Sequence, residues 1–422
     1  MEAFEILLPL AFILCLTKVL GLSFHKLGMP AVIGMLIAGL ILGLIKYIPS
    51  DVVNNMFFGE KVSYWLSVSS KIGVVLIMFS TGLSTNLAQL KSAGKASVII
   101  TLFGVVCPLA LGVLVSYVFS PDESFLSHLF YGAILTATSV SVTVAALKEL
   151  GKLQTKVGTS IIAAAVIDDV IGIVILSVLT GFTSAQAGSG DVTSFMPSWW
   201  ENAAWWLVII KIVVFFVVAI GLGILLRRAF NKIEKRYPHN RRIPILAICV
   251  CFVYAYVAEK IFGVADITGA YVAGILLGGT LAETPYVETK TDMLGYMFFS
   301  PIFFANIGMN LDFSGFQGAF VLFGLCYVVA AIIGKLGGCY VASRLCGYTR
   351  SESLCVGTGM IVRAEVVLIC TEKGISAGLV SRAIYPFVFI IIITTSILAP
   401  LLLKVIYKKE DAKLLASEIK IS

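Results

Sequence analysis

The sequence has little charge for its length. Of its 422 residues only 13% are Asp, Glu, Lys or Arg, whereas 59% are hydrophobic, and the mean hydropathy is +0.99. Soluble domains have roughly a quarter of their residues charged and about half apolar. A water-soluble fold has no core large enough to bury this much apolar sequence. The composition therefore excludes the ordinary soluble classes and predicts a polytopic α-helical membrane protein.

Residues that carry most enzyme and metal chemistry are also scarce. The three histidines, His25, His128 and His239, fall in predicted loops or at helix ends. The nine cysteines form no CxxC pair and lie mostly inside apolar runs, which is typical of reduced packing residues rather than a disulfide or zinc framework. The sequence has no nucleotide-binding loop and no catalytic Ser/His arrangement. We therefore expect neither an enzyme nor a resident cofactor.

Thirteen apolar runs are long enough, or nearly long enough, to cross a bilayer. A crossing takes about 20 apolar residues, and unpaired backbone groups are not tolerated in lipid, so each run predicts a helix. The predicted helices are roughly 4–24, 30–48, 64–84, 94–118, 126–148, 157–182, 202–228, 243–260, 266–282, 292–309, 318–345, 353–372 and 381–406.

Basic residues indicate how these helices are oriented. With the N-terminus outside and the C-terminus cytoplasmic, most Lys and Arg fall in cytoplasmic loops, including those of the basic run 227–242. The external loops then hold only Lys46, Lys61, Lys260, Lys373 and Arg382. All five tryptophans fall at predicted external ends: Trp65, Trp199, Trp200, Trp205 and Trp206. The basic excess is thus explained by topology in contact with membrane lipid, and it does not indicate a nucleic-acid partner.

An internal repeat is visible in the chain. The glycines and alanine of 34–43 (GMLIAGLILG) recur at one offset in 269–278 (GAYVAGILLG), and the pair Glu149 and Gly151 recurs as Glu372 and Gly374. The repeated segments are seven predicted helices apart, so the copies run in opposite directions through the membrane. Inverted repeats of this kind are typical of transporters, whose substrate binds near the midplane between broken helices.

Charged residues fall at the middle of three predicted helices. The sixth helix carries Asp168 and Asp169, the eleventh carries Lys335, and the twelfth carries Arg363 and Glu365. Charge inside the hydrocarbon is costly and usually functional. One aspartate is expected to pair with Lys335, which leaves the other free. Because burial disfavours the charged form of a carboxylate, such a group can exchange H⁺ for a cation.

The fifth predicted helix supplies further oxygen atoms. Its centre holds Thr136, Thr138, Ser139, Ser141 and Thr143, and its counterpart in the repeat is Gly357–Thr358–Gly359. Both stretches are weak helix formers, and matching interruptions in two repeats indicate a transport site. Arg363 and Glu365 are also suited to an interrupted helix, where charged side chains can satisfy freed backbone groups.

Five stretches of the chain resemble the bacterial cation:proton antiporters of the NapA and NhaA kind, within the monovalent cation:proton antiporter superfamily. They are 136–140 (TATSV), 167–172 (IDDVIG), 304–308 (FANIG), 334–335 (GK) and 362–365 (VRAE). The resemblance covers nearly the whole chain. The paired aspartates together with the lysine resemble the electrogenic subgroup, since electroneutral relatives typically have Asn or Gln at the first acid and lack the lysine.

The resemblance implies a role for each site residue. Asp169 is the main carboxylate for the transported cation, Na⁺ or Li⁺, and for the proton. Asp168 forms a salt bridge with Lys335 that opens when the cation binds, and Lys335 is a proton carrier. Thr138 and Ser139 line the site, and Arg363 and Glu365 are supporting residues.

The resemblance also implies a fold and a mode of action. The fold has thirteen transmembrane helices, inverted repeats and two crossed broken helices, as in NhaA. A homodimer is expected, in which a core domain moves past a dimer domain in the manner of an elevator. The implied divisions are dimer-domain residues 1–90 and 243–315, core-domain residues 91–185 and 316–407, a linker at 186–242 and a cytoplasmic tail at 408–422.

Alternative functions remain open on the sequence. The same fold can carry K⁺ instead of Na⁺, because nothing in the sequence sets the size of the ligand cage. An organic-anion symporter of the bile-acid type shares the inverted-repeat design, but the paired aspartates and Lys335 argue against it. A membrane enzyme is disfavoured by the missing catalytic groups. The prediction is an antiporter for a monovalent cation and H⁺ in a bacterial inner membrane.

Overall fold

The computed structural model describes residues 6–27, 31–47, 51–85, 94–139, 141–152, 154–186, 205–236, 242–278, 284–310 and 318–419. Trp199, Trp200 and residues 237–241 of the basic run lie outside these ranges. Within the described ranges the chain forms α-helices with short 3₁₀ and π segments, and it contains no strand.

The described helices follow one another with short connections. They are α1 Leu7–Lys26, α2 Ala31–Gly43, α3 Asp51–Phe58, α4 Glu60–Ser84, α5 Lys95–Phe119, α6 Phe125–Ile134, α7 Ser141–Glu149, α8 Lys156–Gln186, α9 Trp205–Arg236, α10 Arg242–Phe262, α11 Asp266–Leu277, α12 Thr284–Leu294, α13 Ser300–Met309, α14 Gly318–Leu345, α15 Arg350–Gly359, α16 Glu365–Ser376 and α17 Tyr385–Ile419. Short 3₁₀ segments cover Leu44–Tyr47 and Arg382–Ile384, and a π segment, Gly295–Phe299, joins α12 to α13.

Eight of the helices are long and apolar enough to cross a membrane. Their spans are Leu7–Lys26, Asn54–Ser84, Lys95–Phe119, Lys156–Phe182, Ile209–Phe230, Ile243–Phe262, Val321–Leu345 and Arg382–Lys409. Three shorter apolar helices cover Ala31–Lys46, Phe125–Ile134 and Asp266–Leu277. The predicted all-helical membrane protein is therefore confirmed, and the count of thirteen crossings stays a prediction.

The chain divides into two compact units. The first unit comprises Met1–Lys26, Ala31–Leu87 and Val174–Leu311, and the second comprises Leu27–Pro30, Ala88–Ile173 and Asp312–Ser422. The elements that carry the predicted charged centre, from α5 to the middle of α8 and from α14 to α17, all belong to the second unit.

In the first unit, the two copies of the glycine repeat make equivalent contacts. Gly39 of α2 packs so closely on α13 that a Cβ would clash with the carbonyl of Ala305, and Gly274 of α11 packs in the same way on the carbonyl of Phe79 in α4. The partner helices α13 and α4 are themselves separated by nearly the offset of the repeat. Small residues let helix backbones approach closely in membranes, so the repeated glycines encode one helix crossing twice.

In the second unit, α14 packs along α5 through small residues. A Cβ on Gly334 would lie 2.8 Å from Cα of Pro108, and a Cβ on Gly338 would lie 2.6 Å from the carbonyl oxygen of Phe103. Close approach of these two helices encloses the neighbouring Lys335, whose side chain is fully buried.

Two helical segments of the second unit are interrupted. The fifth predicted helix is divided into α6 and α7, with residues 135–140 between them, and the twelfth is divided into α15 and α16, with residues 360–364 between them. Two details of the prediction were wrong. Ser141 and Thr143 lie within α7, and Gly357–Gly359 completes α15, so that the second interruption begins at Met360.

Candidate functional site

The two interruptions contact each other directly. The backbone N–H of Ser139 donates to the carbonyl oxygen of Val362 at 2.9 Å, and the hydroxyl of Thr143 donates to the carbonyl oxygen of Gly359 at 2.7 Å. An interrupted helix frees backbone groups that must be satisfied away from water. Each broken segment therefore supplies part of the hydrogen bonding that the other has lost.

Lys335 lies beside the first interruption with two partners. Its Nζ is 2.7 Å from Oδ1 of Asp168 and donates to the carbonyl oxygen of Thr136 at 2.9 Å. Lys335 is fully buried and Asp168 is 2% exposed. An ammonium group has three donors and no acceptor, and burial is tolerated when the charge is paired and hydrogen-bonded. The arrangement keeps Lys335 and Asp168 as an ion pair inside the unit.

Asp169 has a different environment from its neighbour in α8. Its side chain is partly exposed, and it makes no hydrogen bond or ion pair with any residue in the described part of the chain. The charged groups near it are Asp168, Glu365 and Lys335. A Cβ on Gly172, which follows one turn later, would meet no atom within 4 Å. Asp169 is thus a carboxylate with capacity for a ligand.

Arg363 lies where α6 and α15 both end. It is fully buried, and its guanidinium donates to the carbonyl oxygens of Leu135 at 2.7 Å and Met360 at 3.4 Å. It also donates to the hydroxyl of Thr138 at 3.2 Å. Leu135 and Met360 are the residues that cap the two helix ends. The carbonyl end of a helix carries partial negative charge, so a cation is stabilising there.

The acidic partner of Arg363 in the sequence motif lies at the opposite kind of helix end. Glu365 is the first residue of α16 and its side chain is partly exposed. A carboxylate is favoured at the amino end of a helix, where the macrodipole is positive. The two charges of the motif thus serve different helix ends, as expected for an interrupted helix.

The structure brings together most of the predicted site residues, all within the second unit. Asp168, Lys335, Thr138 and Arg363 are connected through the first interruption, and the buried Ser139 joins it to the second. Sequence reasoning missed the carbonyl of Thr136 as a partner of Lys335. It also missed Thr395 of α17, whose buried hydroxyl accepts from the backbone N–H of Arg363 at 3.1 Å. The hydroxyl run Thr394–Ser396 inside an apolar helix was the available signal.

Comparison with known proteins places this chain among membrane transporters. The profile of the family described as sodium/hydrogen exchanger, transmembrane, matches residues 11–409. The Na⁺/H⁺-K⁺ antiporter GerN of Bacillus cereus is 33% identical over 420 residues, which cover 98% of this chain and 100% of GerN. A Na⁺/H⁺ antiporter of Enterococcus hirae is 30% identical over 402 residues, covering 95% of this chain and 97% of that protein.

Solved structures show the same fold. The sodium proton antiporter MjNhaP1 from Methanocaldococcus jannaschii aligns with a TM-score of 0.67 over 96% of this chain and 97% of that chain, at 19% sequence identity. The resemblance to monovalent cation:proton antiporters that the aspartate pair and the lysine indicated is therefore confirmed. This chain is an integral membrane protein of the sodium/hydrogen exchanger family.

Proposed function

We propose that this chain is an electrogenic antiporter that exchanges Na⁺ for H⁺ across a membrane. The observation that carries the proposal is the contrast between two adjacent carboxylates. Asp168 is buried in an ion pair with Lys335, whereas Asp169 is partly exposed and makes no bond within the described part of the chain. The names of the relatives, Na⁺/H⁺ antiporters in two genera, support the same exchange.

Asp169 is the group at which cation and proton compete. As a carboxylate it binds Na⁺, and as a carboxylic acid it returns across the membrane without charge. Na⁺ prefers hard oxygen ligands, and the interruption at 135–139 presents a hydroxyl-rich stretch with unwound backbone beside the two aspartates. Thr138 and Ser139 belong to this lining, and the part played by Thr138 is taken up below.

Lys335 provides the extra charge of the electrogenic cycle. When Na⁺ enters, Asp168 turns from Lys335 toward the ion, and the ammonium loses its counter-charge. Burial disfavours an unpaired charge, so Lys335 releases a proton. One Na⁺ is then exchanged for two protons, one from Asp169 and one from Lys335, and each turnover moves one net charge. The 2.7 Å ion pair between Lys335 and Asp168 supports this sequence of events.

The proposed architecture is thirteen crossings with inverted repeats and two crossed interruptions, as in NhaA. The equivalent glycine contacts in the first unit and the two contacting interruptions in the second support it. The second unit is the moving core, the first is the dimer domain of a homodimer, and the core moves like an elevator. The compactness of each unit supports this division. The N-terminus lies outside and the C-terminus in the cytoplasm of a bacterial inner membrane.

A second cargo is favoured by one relative. GerN of Bacillus cereus carries the name of a Na⁺/H⁺-K⁺ antiporter, and it matches this chain over nearly its whole length. K⁺ uses the same hard oxygen ligands, so K⁺/H⁺ exchange is the alternative on the same site.

The decisive experiment measures proton flux in proteoliposomes of the purified chain under gradients of Na⁺, Li⁺ or K⁺. Asp169→Ala is expected to abolish cation-driven proton flux while the protein stays folded, because the group shared by cation and proton is removed. The matched control is Asp122→Asn, which changes an exposed acid between α5 and α6 and is expected to retain parental flux. Parental Na⁺-driven flux in Asp169→Ala would overturn the assignment of Asp169.

A further inference from the structure

Arg363 connects both interruptions through one planar group. Nη2 donates to the carbonyl oxygen of Leu135 at 2.7 Å, while Nη1 donates to the carbonyl oxygen of Met360 and the hydroxyl of Thr138. Nε is buried and has no acceptor among the described residues. The backbone N–H of Arg363 is fixed in turn by Thr395. The guanidinium is thus held by the fold at its backbone and at its tip.

The hydroxyl of Thr138 already has two partners. It accepts from Nη1 of Arg363 at 3.2 Å and donates to the carbonyl oxygen of Thr136 at 3.3 Å. A hydroxyl has one donor and two lone pairs, so one lone pair remains. A metal cation on that lone pair would share its oxygen with a guanidinium, and the two positive charges would repel each other at short distance.

The neighbouring carbonyls are committed to fixed cations as well. The oxygen of Leu135 accepts from Arg363, and the oxygen of Thr136 accepts from Lys335. The first interruption therefore begins with oxygens that two tethered cations occupy. Oxygens bound in this way are withdrawn from an incoming metal ion, which is left with the aspartates and the later backbone of the interruption.

We propose that Arg363 is a positioning residue for cation binding, and that the Thr138 hydroxyl is its partner rather than a ligand of the transported cation. Arg363 holds the entrance of the first interruption in one shape and keeps Leu135, Met360 and Thr138 out of the coordination shell. The inference rests on the proposed function, because it concerns the cation bound at Asp169.

The chain offers a double-mutant cycle to test this inference. Thr138→Val keeps the shape of the side chain and removes the hydroxyl, and Thr138→Ser keeps the hydroxyl as the matched control. Arg363→Lys keeps the charge but replaces the planar fork by a single ammonium, which cannot span the same acceptors. The measured quantities are the KM for Na⁺ and kcat of exchange in proteoliposomes, with thermal stability recorded in parallel.

The partner role predicts coupled effects. Thr138→Ser is expected to match the parent, whereas Thr138→Val and Arg363→Lys each raise the KM for Na⁺ about threefold and leave kcat nearly unchanged. The double variant is expected to show no further rise, because each single change breaks the same bond. Equal factors for Thr138→Val in the parent and in the Arg363→Lys background would overturn the inference, since a direct ligand acts independently of Arg363.

The test remains decisive if Arg363→Lys does not fold. Thr138→Val alone is then expected to lower the melting temperature with less than a threefold change in KM, and a rise of tenfold or more in KM would identify Thr138 as a ligand. Failure of the proposed function has a different signature, namely the absence of cation-driven proton flux in the parent protein itself.

Discussion

The two interrupted helices of the second unit have the same design but present opposite chemistry. Residues 135–139 are hydroxyl-rich and present acceptors, namely the carbonyls of Leu135 and Thr136 and the hydroxyl of Thr138. Residues 360–364 are apolar apart from Arg363, which presents donors to those acceptors. In the first unit, by contrast, the corresponding glycines of the repeat still make equivalent contacts.

This difference shows how a duplicated segment can be divided between two tasks. Packing requirements are the same in both copies, so the glycines at helix crossings are retained in both. At the interruptions, one copy supplies oxygens, and the other supplies a fixed cation that occupies some of them. The cation site is then built mainly by one repeat, with Asp168 and Asp169 of α8 beside it, while the other repeat holds it in place.

The strongest test of this division removes the cation that α14 contributes to the first interruption. Lys335→Gln leaves Asp168 and the carbonyl of Thr136 without their ammonium partner. Breaking a buried ion pair costs about 3–5 kcal/mol, so we expect a large loss of stability in detergent. We also expect slow, electroneutral exchange, because Asp169 still trades one H⁺ for one Na⁺ when the second proton carrier is missing.

The measurement for Lys335→Gln is the membrane potential generated by the purified variant in liposomes, together with its unfolding midpoint. Lys335→Arg serves as a control that keeps the charge and a donor to Asp168. An active Lys335→Gln protein that is as electrogenic as the parent would reduce Lys335 to a structural clamp.

A second test asks whether the copies in the first unit are equivalent. Gly39→Ala and Gly274→Ala each place a Cβ against a carbonyl of the facing helix, those of Ala305 and Phe79. Overpacking of this kind costs about 1–3 kcal/mol, and we expect the two losses to agree. Gly221→Ala is the control, because a Cβ there would meet no atom within 4 Å. Denaturant unfolding in mixed micelles gives the ranking, and a loss confined to one copy contradicts the equivalence.

The smallest effect is expected for the bond that joins the two interruptions through a side chain. Thr143→Val removes the hydroxyl that donates to the carbonyl of Gly359 at 2.7 Å. Side-chain hydrogen bonds between membrane helices contribute about 0.6 kcal/mol on average, and we expect a loss of that order with near-parental exchange. Thr159→Val is a matched control, since Thr159 is exposed and bonds only within its own helical turn. A loss of several kcal/mol would mean that this single bond maintains the contact between the interruptions.

Local pattern accounted for much of what the structure contains. The positions of the helices followed from apolar runs bounded by polar residues, because lipid forces every backbone group into a helix unless another group satisfies it. The weak helix at Thr136–Ser139 followed from its hydroxyl and β-branched side chains. The exact residue at which α15 ends was beyond this reasoning, since Gly357 and Gly359 are weak helix formers yet are helical in the tertiary setting.

The sequence by itself determined that this is a helical membrane protein with an aspartate pair, a lysine and an arginine at the centre of its helices. Composition and periodicity are local properties, and a charge at mid-helix is costly whatever its surroundings. Only the tertiary structure decided which atoms meet. The partners of Lys335 and Arg363 include carbonyl oxygens of Thr136 and Leu135, far away along the chain. Every residue has such an oxygen, so only the positions of the interruptions in the folded chain select these two.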